Sequence, residues 1–232
     1  RTHHPWKYFL RLLIMHLAIV LAESIYFYAF PNPQARADEV GGNAFADLTF
    51  IALTLILLKK KNRWSLLVIL PIGLVGLQYG VELYETSQLA TVHWFPMYLR
   101  TGYSLFGLLL GIGFFYASKL ADIFAKPLSD NLGMSLGEYR NTNVYQRLSN
   151  LVSVGMFFVI TLAFYAISYI GFDNGNRPYD TLWMQLQSYC LLAIPIILLY
   201  SGKRGYDNKV IRIISYLYYP AHMLLLIAIF WL

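Results

Sequence analysis

The sequence predicts an all-α protein that forms a polytopic transmembrane helical bundle. Of its 232 residues, 58% are hydrophobic and only 13% are charged, whereas soluble domains carry about 25% charged residues. Seven apolar stretches are long enough to cross a membrane, for which a helix needs about 20 residues over roughly 30 Å. Regular strand alternation is absent, which favours helices over a barrel. We therefore expect one membrane-embedded domain over residues 1–232.

The predicted helices follow one another along the whole chain, separated by short polar segments. Between the fourth and the fifth lies a longer stretch, about 119–147, that mixes charge, Gly and Pro and is too polar to cross a membrane. We predict that this stretch is a polar cytoplasmic loop holding a short surface helix at most. The seven predicted spans are approximately 7–30, 43–59, 64–84, 99–118, 148–171, 179–201 and 213–232.

The basic residues predict the orientation of these helices, because Lys and Arg in short loops stay on the cytoplasmic side. Of the 18 basic residues, 15 fall on one side of the predicted topology, and only Arg36, Arg100 and Arg177 fall on the other. We therefore predict a cytoplasmic N-terminus and a C-terminus outside. This alternation also accounts for the net charge of +6, so nucleic acid is not an expected partner, whereas membrane lipid is.

His16 and Glu23 are ionisable residues that lie deep within the first predicted helix. His16 and Glu23 are seven residues apart in "RLLIMHLAIVLAESIYFY", which places them on one face about 10 Å apart along the axis. His16 falls near mid-bilayer and Glu23 toward the outer half. Ionisable residues inside a span cost on the order of 3 kcal/mol, so both are candidate catalytic residues.

A second group of polar residues falls at the outer ends of the next three helices. Asp47 follows Asn43 by four residues, and two interpretations are open: a capping pair at a helix start, or part of a binding site. Arg100 is expected to form a salt bridge with one of the nearby carboxylates, either as a structural pair or within an outward-facing substrate pocket. The candidate substrate-binding residues are Asp47, Glu82, Arg100 and Tyr103, with carboxylates also at Glu23 and Glu85.

The last predicted helix carries polar residues halfway along its length, in "SYLYYPAHMLLLIAIFWL". His222 lies about 15 Å from Arg212, near the predicted midplane and hence at a depth similar to His16. Tyr218 and Tyr219 can flank it, and Pro220 is expected to bend the helix. A histidine with neighbouring tyrosines suits proton transfer, so His222 and Tyr219 are candidate catalytic residues.

The loop before this helix, "LLYSGKRGYDNKVIR", combines flexible backbone with positive charge. Gly202 and Gly205 bracket Lys203 and Arg204, an arrangement that can dock phosphates on the cytoplasmic face. The spacing lacks the Ser or Thr of a P-loop, so nucleotide hydrolysis is not implied. No metal site is predicted, because Cys190 is the only cysteine and a third ligand cannot be placed at the depth of the two histidines.

The C-terminal third resembles the TraX family of bacterial membrane proteins. The specific motifs lie within residues 198–225, where "LLYSGKRG" precedes "SYLYYPAHMLLL"; "RLLIMHLAIVLAESIYFY", "GGNAFADLTFIALTLIL" and "RTGYSLFGLLLGIGFFY" are weaker echoes. The resemblance implies a multi-pass protein of the bacterial inner membrane. It also implies an acyltransferase that acetylates the N-terminal amine of pilin or another exported acceptor, with acetyl-CoA as donor.

Carried over by position, the family's Tyr-Pro-x-His histidine is His222 with Tyr219 and Pro220, and its basic loop is Gly202, Lys203, Arg204 and Gly205. Family members also carry an early helix with an Asp-His-Ile-like motif that this sequence lacks. Since the chain does not begin with Met, we expect that helix to be missing from the sequence.

The residues and the resemblance together predict one mechanism. The phosphates of CoA dock on Lys203, Arg204 and nearby bases such as Lys59 to Lys61, while His222 or His16 acts as general base or transient acyl carrier at the midplane. The acceptor amine enters from the outer pocket. Two other functions stay open: a small proton- or ion-coupled transporter that uses the same intramembrane charges, and a non-catalytic subunit of a membrane assembly.

Overall fold

A computed structural model describes residues 4–29, 43–60, 62–88, 92, 94–170 and 189–200, together with positions 208, 210, 213, 214, 217, 218, 221 and 225. Throughout this described part the regular secondary structure is helical, and no β-strand forms. The chain divides into two compact units, Arg1–Leu199 and Tyr200–Leu232. In the second unit, the described positions from Val210 to Leu225 are helical.

The first unit contains seven α-helices in its described part. They are α1 (Pro5–Ala29), α2 (Ala44–Leu58), α3 (Ile69–Gln88), α4 (Ser104–Asn131), α5 (Leu136–Tyr139), α6 (Asn143–Ile170) and α7 (Ile194–Leu199). Short 3-10 helices at Arg63–Val68 and Tyr189–Ala193 lead into α3 and α7, and a third, Met97–Leu99, precedes α4. In the packing of the unit, α4 contacts α2, α3 and α6, and α1 lies against α2.

Four helices are long and apolar enough to cross a membrane: Pro5–Ile25, Arg63–Glu85, Ser104–Asn131 and Asn143–Ala166. Their outward faces expose large apolar side chains, such as Ile14, Leu70 and Val159, which are each more than 60% exposed. Exposure on this scale suits a hydrocarbon environment rather than water. The prediction of an all-α membrane bundle is therefore confirmed at this level.

Helix α2 is shorter than predicted for a span. Its 15 residues cover about 22 Å at 1.5 Å per residue, less than the roughly 30 Å of hydrocarbon. Asn43 caps it, with its side-chain oxygen accepting a hydrogen bond from the backbone N–H of Ala46 at 3.0 Å. His16 lies near the middle of α1, which continues for 13 residues beyond it. Because His16 contacts Asn43, the start of α2 lies level with the middle of α1.

The fourth predicted span differs from the structure at both ends. The helix found in the structure, α4, begins at Ser104 rather than at residue 99. Residues 98–103 do not join it because side chains of other helices hold their backbone. The helix continues to Asn131, well into the predicted loop 119–147, and α5 and the start of α6 occupy much of the rest. The prediction of a short surface helix at most in this stretch was therefore wrong. Alanine favours helix, and Ala121 and Ala125 are fully buried in this stretch.

A Schellman motif ends α4 beyond the apolar core. Gly133 adopts a left-handed conformation with φ of 64°, its N–H donates to the carbonyl of Asp130, and the N–H of Met134 donates to the carbonyl of Ser129. Arg140 then forms a bidentate ion pair with Asp122, at 2.7 and 2.8 Å, and the hydroxyl of Tyr145 donates to the same carboxylate. These contacts fix the connection between α4 and α6.

Candidate functional site

Most of the described candidate residues gather around residues 98–103, a segment outside the α-helices that we call the clamped segment. Side chains from α1, α2 and α3 hydrogen-bond to its backbone. Irregular backbone at membrane depth needs such partners, because hydrocarbon offers none. We call the surrounding side chains the polar cluster; they are His16, Asn43, Asp47, Gln78, Glu82, Glu85 and Arg100.

His16 lies at the end of the clamped segment nearest α1 and is only 4% exposed. Its Nε2 is 2.7 Å from the carbonyl oxygen of Tyr98. Since a carbonyl can only accept, Nε2 carries the hydrogen. Its Nδ1 lies 3.0 Å from the side-chain nitrogen of Asn43, which can donate to it. Both ring nitrogens are therefore engaged, and in the neutral ring Nδ1 is the one without a hydrogen.

Asp47 connects α2 to the start of α4. Its carboxylate accepts hydrogen bonds from the backbone N–H groups of Gly102 at 2.8 Å and Tyr103 at 3.1 Å. An anion at a helix N-terminus is favoured by the helix dipole, and Tyr103 offers no side-chain cap of its own. A Cβ on Gly107 would lie 2.9 Å from the Asp47 carboxylate, so this glycine permits the close approach. Asp47 therefore caps the N-terminus of α4, although the residue itself lies in the first turn of α2.

Gln78 pairs with Thr101 much as a neighbouring strand would. Its side-chain oxygen accepts from the Thr101 N–H at 2.8 Å, and its nitrogen donates to the Thr101 carbonyl at 2.9 Å. The same nitrogen donates to Glu82 at 2.5 Å, which places this partly exposed residue beside the clamped segment. On its other side, Thr101 forms an isolated parallel bridge with Asn43. Thr101 is therefore fixed between α2 and α3.

Arg100 forms the salt bridge that the sequence led us to expect, and its partner is Glu85. The two pair in a bidentate geometry at 2.7 and 3.0 Å, and their side chains are 16% and 17% exposed. Glu85 also accepts from the backbone N–H of Val92 at 2.7 Å. This ion pair therefore joins the end of α3 to the residues that lead into α4.

Glu23 and Tyr103 have fewer contacts than the other candidates. Glu23 is partly buried, and its Oε2 has no hydrogen-bond partner among the residues that the structure describes. Tyr103 contributes its backbone N–H, while the residue is 49% exposed. The remaining candidate site residues lie outside the described residues; they are Tyr219, His222, Gly202, Lys203, Arg204 and Gly205.

The sequence did not predict the contact between His16 and Asn43, or the backbone of residues 98–103 as their common partner. The i,i+4 spacing of Gln78 and Glu82 was a visible signal, whereas nothing local marks the Tyr98 carbonyl as an acceptor. Within the described ranges, no group of three His, Cys, Asp or Glu side chains could hold a metal ion. The chain matches no protein-family model, no curated protein and no solved structure.

Proposed function

We propose that the protein is a membrane-embedded acyltransferase. In this proposal it transfers an acetyl group from acetyl-CoA to the N-terminal amine of a pilin-like or other exported acceptor, in the inner membrane of a bacterium. The acceptor ammonium first releases one proton to water. Its neutral nitrogen then bonds to the thioester carbonyl carbon, the C–S bond breaks, and the thiolate of CoA takes up the second proton that the nitrogen loses. His222 removes and returns that proton, or carries the acyl group transiently.

The observation that supports the proposal best is the charge of the polar cluster. Asp47, Glu82 and Glu85 bring three carboxylates against one guanidinium, that of Arg100. An excess of carboxylate attracts a cationic N-terminal amine and disfavours an anionic one. Glu82, a partly exposed residue, is the one we assign to the acceptor ammonium. Asp47 and Gln78 act as positioning residues that fix the clamped segment beside it.

The geometry of His16 favours different roles for His16 and His222. As a base, His16 would have to give up its contact with Asn43, because its Nδ1 is the nitrogen that carries no hydrogen. We therefore assign general-base chemistry to His222, on the basis of the resemblance, and a positioning role to His16. The donor is assigned to Lys203 and Arg204, whose charges suit the phosphates of CoA.

Calorimetric titration of the purified protein with acetyl-CoA in detergent tests the donor site. We expect binding by the wild type and its loss in a Lys203→Ala/Arg204→Ala variant. A Lys126→Ala/Arg147→Ala variant, which removes the same charge from α4 and α6, should bind as the wild type does. A wild-type protein that binds no acetyl-CoA would contradict the proposal.

Glu23 favours a second candidate function, proton- or ion-coupled transport. A buried carboxylate oxygen without a partner among the described residues is typical of a proton-carrying position in a membrane protein. Ion or proton flux into proteoliposomes that depends on Glu23, in a protein that does not bind acetyl-CoA, would favour this candidate over acyl transfer.

A further inference from the structure

Three helices bring lysines and aromatic rings together at the end of the first unit away from the polar cluster. The ammonium of Lys59 lies 6.0 Å from the centre of the Phe115 ring, and that of Lys119 lies 4.7 Å from the same centre. Lys119 is also 4.8 Å from the ring centre of Tyr116, and Lys60 is 5.7 Å from that of Trp6. We call these six residues the basic rim.

Local structure places each member of the rim. Lys59 is the C-cap of α2, and Trp6 lies in the first turn of α1. Phe115 and Lys119 are one helical turn apart on α4, so they share a face. Because α2 packs against both α1 and α4, its end brings the two lysines between the rings of its neighbours.

The positive charge of the rim is not neutralised within the described part of the chain. The two ion pairs found there join Arg100 to Glu85 and Arg140 to Asp122, and neither uses a lysine. Two ammonium groups near one ring repel each other, while the ring supplies only a weak attraction. An anion that contacts both lysines would remove the repulsion.

The rings indicate what kind of anion fits. Trp6 is 46% exposed and Tyr116 is 42% exposed. Trp6 lies at the end of a helix that could span the membrane, and Tyr116, halfway along α4, follows Phe115, which the end of α2 reaches through Lys59. Aromatic rings in this position are typical of the boundary between hydrocarbon and headgroups, where lysines attract anionic lipid. A free phosphate would use the lysines and leave these rings without a partner, whereas a lipid would use both.

We propose that the basic rim binds the phosphate of an anionic phospholipid, with Lys59 and Lys119 contacting the phosphate oxygens beside Phe115. The lipid's glycerol and upper acyl chains then lie against Trp6 and Tyr116. This site does not depend on the proposed acyl transfer, since a bound lipid would serve a transporter or a scaffold equally well. It also assigns Lys59 to lipid rather than to CoA.

The test measures binding of a short-chain phosphatidylglycerol to the purified detergent-solubilised protein, with phosphatidylcholine of the same chain length as the neutral lipid. We expect Lys59→Ala/Lys119→Ala to weaken phosphatidylglycerol binding about thirtyfold, because each of the two lysines contributes about fivefold near an anionic headgroup. A Lys59→Arg/Lys119→Arg variant should retain binding. The matched control, Arg63→Ala/Lys126→Ala, removes the same charge outside the rim and should bind as the wild type does.

Three results would overturn the proposal. Equal loss in the control and the rim variant would show that only net charge matters, and equal binding of phosphatidylcholine would show that the phosphate charge is not recognised. Loss of CoA binding in the rim variant with phosphatidylglycerol binding retained would assign the lysines to a soluble phosphate instead. Thermal melting of each variant checks that the exposed lysines were replaced without unfolding.

Discussion

At the scale of single residues, His16 connects three parts of the chain. Its ring contacts the N-cap of α2 and the first carbonyl of the clamped segment while it lies in the middle of α1. Replacement by Ala leaves the Asn43 side-chain nitrogen and the Tyr98 carbonyl without this partner in a buried site. Buried groups that lose a hydrogen bond cost about 1–3 kcal/mol each, so we expect His16→Ala to lower the melting temperature in detergent.

The control for this prediction is His4→Ala, because His4 is exposed. Its replacement should leave the melting temperature unchanged. If His16→Ala also melts with the wild type, the contacts of His16 do not stabilise the bundle and its positioning role is wrong.

Glu138 gives the protein a local dependence on pH. The hydroxyl and backbone N–H of Ser135 donate to its carboxylate, and these hydrogen bonds hold the pKa of Glu138 below its ordinary value. A depressed pKa stabilises the folded form above the unfolded pKa, and this stabilisation is lost as pH falls through the folded pKa. We expect faster amide exchange at residues 135–139 below about pH 4, after correction for intrinsic rates.

Glu138→Gln should exchange faster at neutral pH and show less of this acid effect, because a neutral amide makes weaker bonds to the cap. Residues 146–153 of α6, which contain no acidic side chain, are the internal reference. Exchange at residues 135–139 that is independent of pH after the same correction would contradict the account.

At the scale of elements, glycines set how closely α4 approaches α2. Gly107 and Gly111 are one turn apart, and a Cβ on Gly111 would lie 2.5 Å from Cγ2 of Ile51. Ile is β-branched and stiff in a helix, so it cannot move aside easily. We expect Gly111→Ala to destabilise the protein by about 1–3 kcal/mol through overpacking, measured by unfolding in mixed micelles.

Gly155→Ala provides the matched control, since a Cβ there meets nothing within 4 Å. Helix propensity alone should make that variant as stable as the wild type or slightly more so. Equal behaviour of the two variants would show that close packing between α2 and α4 contributes little.

The same elements show how far the sequence could predict the fold. The starts of α1 and α2 follow from apolar runs and from Asn43 as an N-cap, which are local signals. The start of α4 at Ser104 could not be predicted, because Asp47 and Gln78 act on it from other helices across more than 20 residues. The end of α4 could have been predicted more closely, since "SDNLGM" carries the glycine of a Schellman motif.

Some features of the candidate site could likewise be predicted from the sequence, and others could not. A salt bridge of Arg100 was predictable, because Arg100 and several carboxylates were expected at a similar depth in the membrane. That its partner is Glu85 depends on how the end of α3 packs against residues 92–103. Capping by Asn43 was one of two interpretations open from the sequence, whereas its second contact, to His16, depends on the packing of α1 against α2. Tertiary contacts of polar side chains with irregular backbone leave no periodic signal in one sequence.

At the scale of the whole molecule, the first unit carries opposite charge at its two ends. The basic rim lies at one end, and the carboxylates of the polar cluster lie around the clamped segment toward the other. Because the basic rim is assigned to lipid, the proposed acyl transfer uses the carboxylate end, which attracts a cationic amine. The central claim is therefore that the chain transfers an acetyl group to an amine.

The most direct test is transfer of radiolabelled acetyl from acetyl-CoA to a synthetic peptide with a free N-terminal amine, using the purified protein in proteoliposomes. We expect the label on that peptide and not on the same peptide with a blocked N-terminus. His222→Ala should reduce the rate at least about 100-fold, as loss of a general base does, and His4→Ala should leave it unchanged. No transfer by the wild type, or full transfer by His222→Ala, would contradict the account.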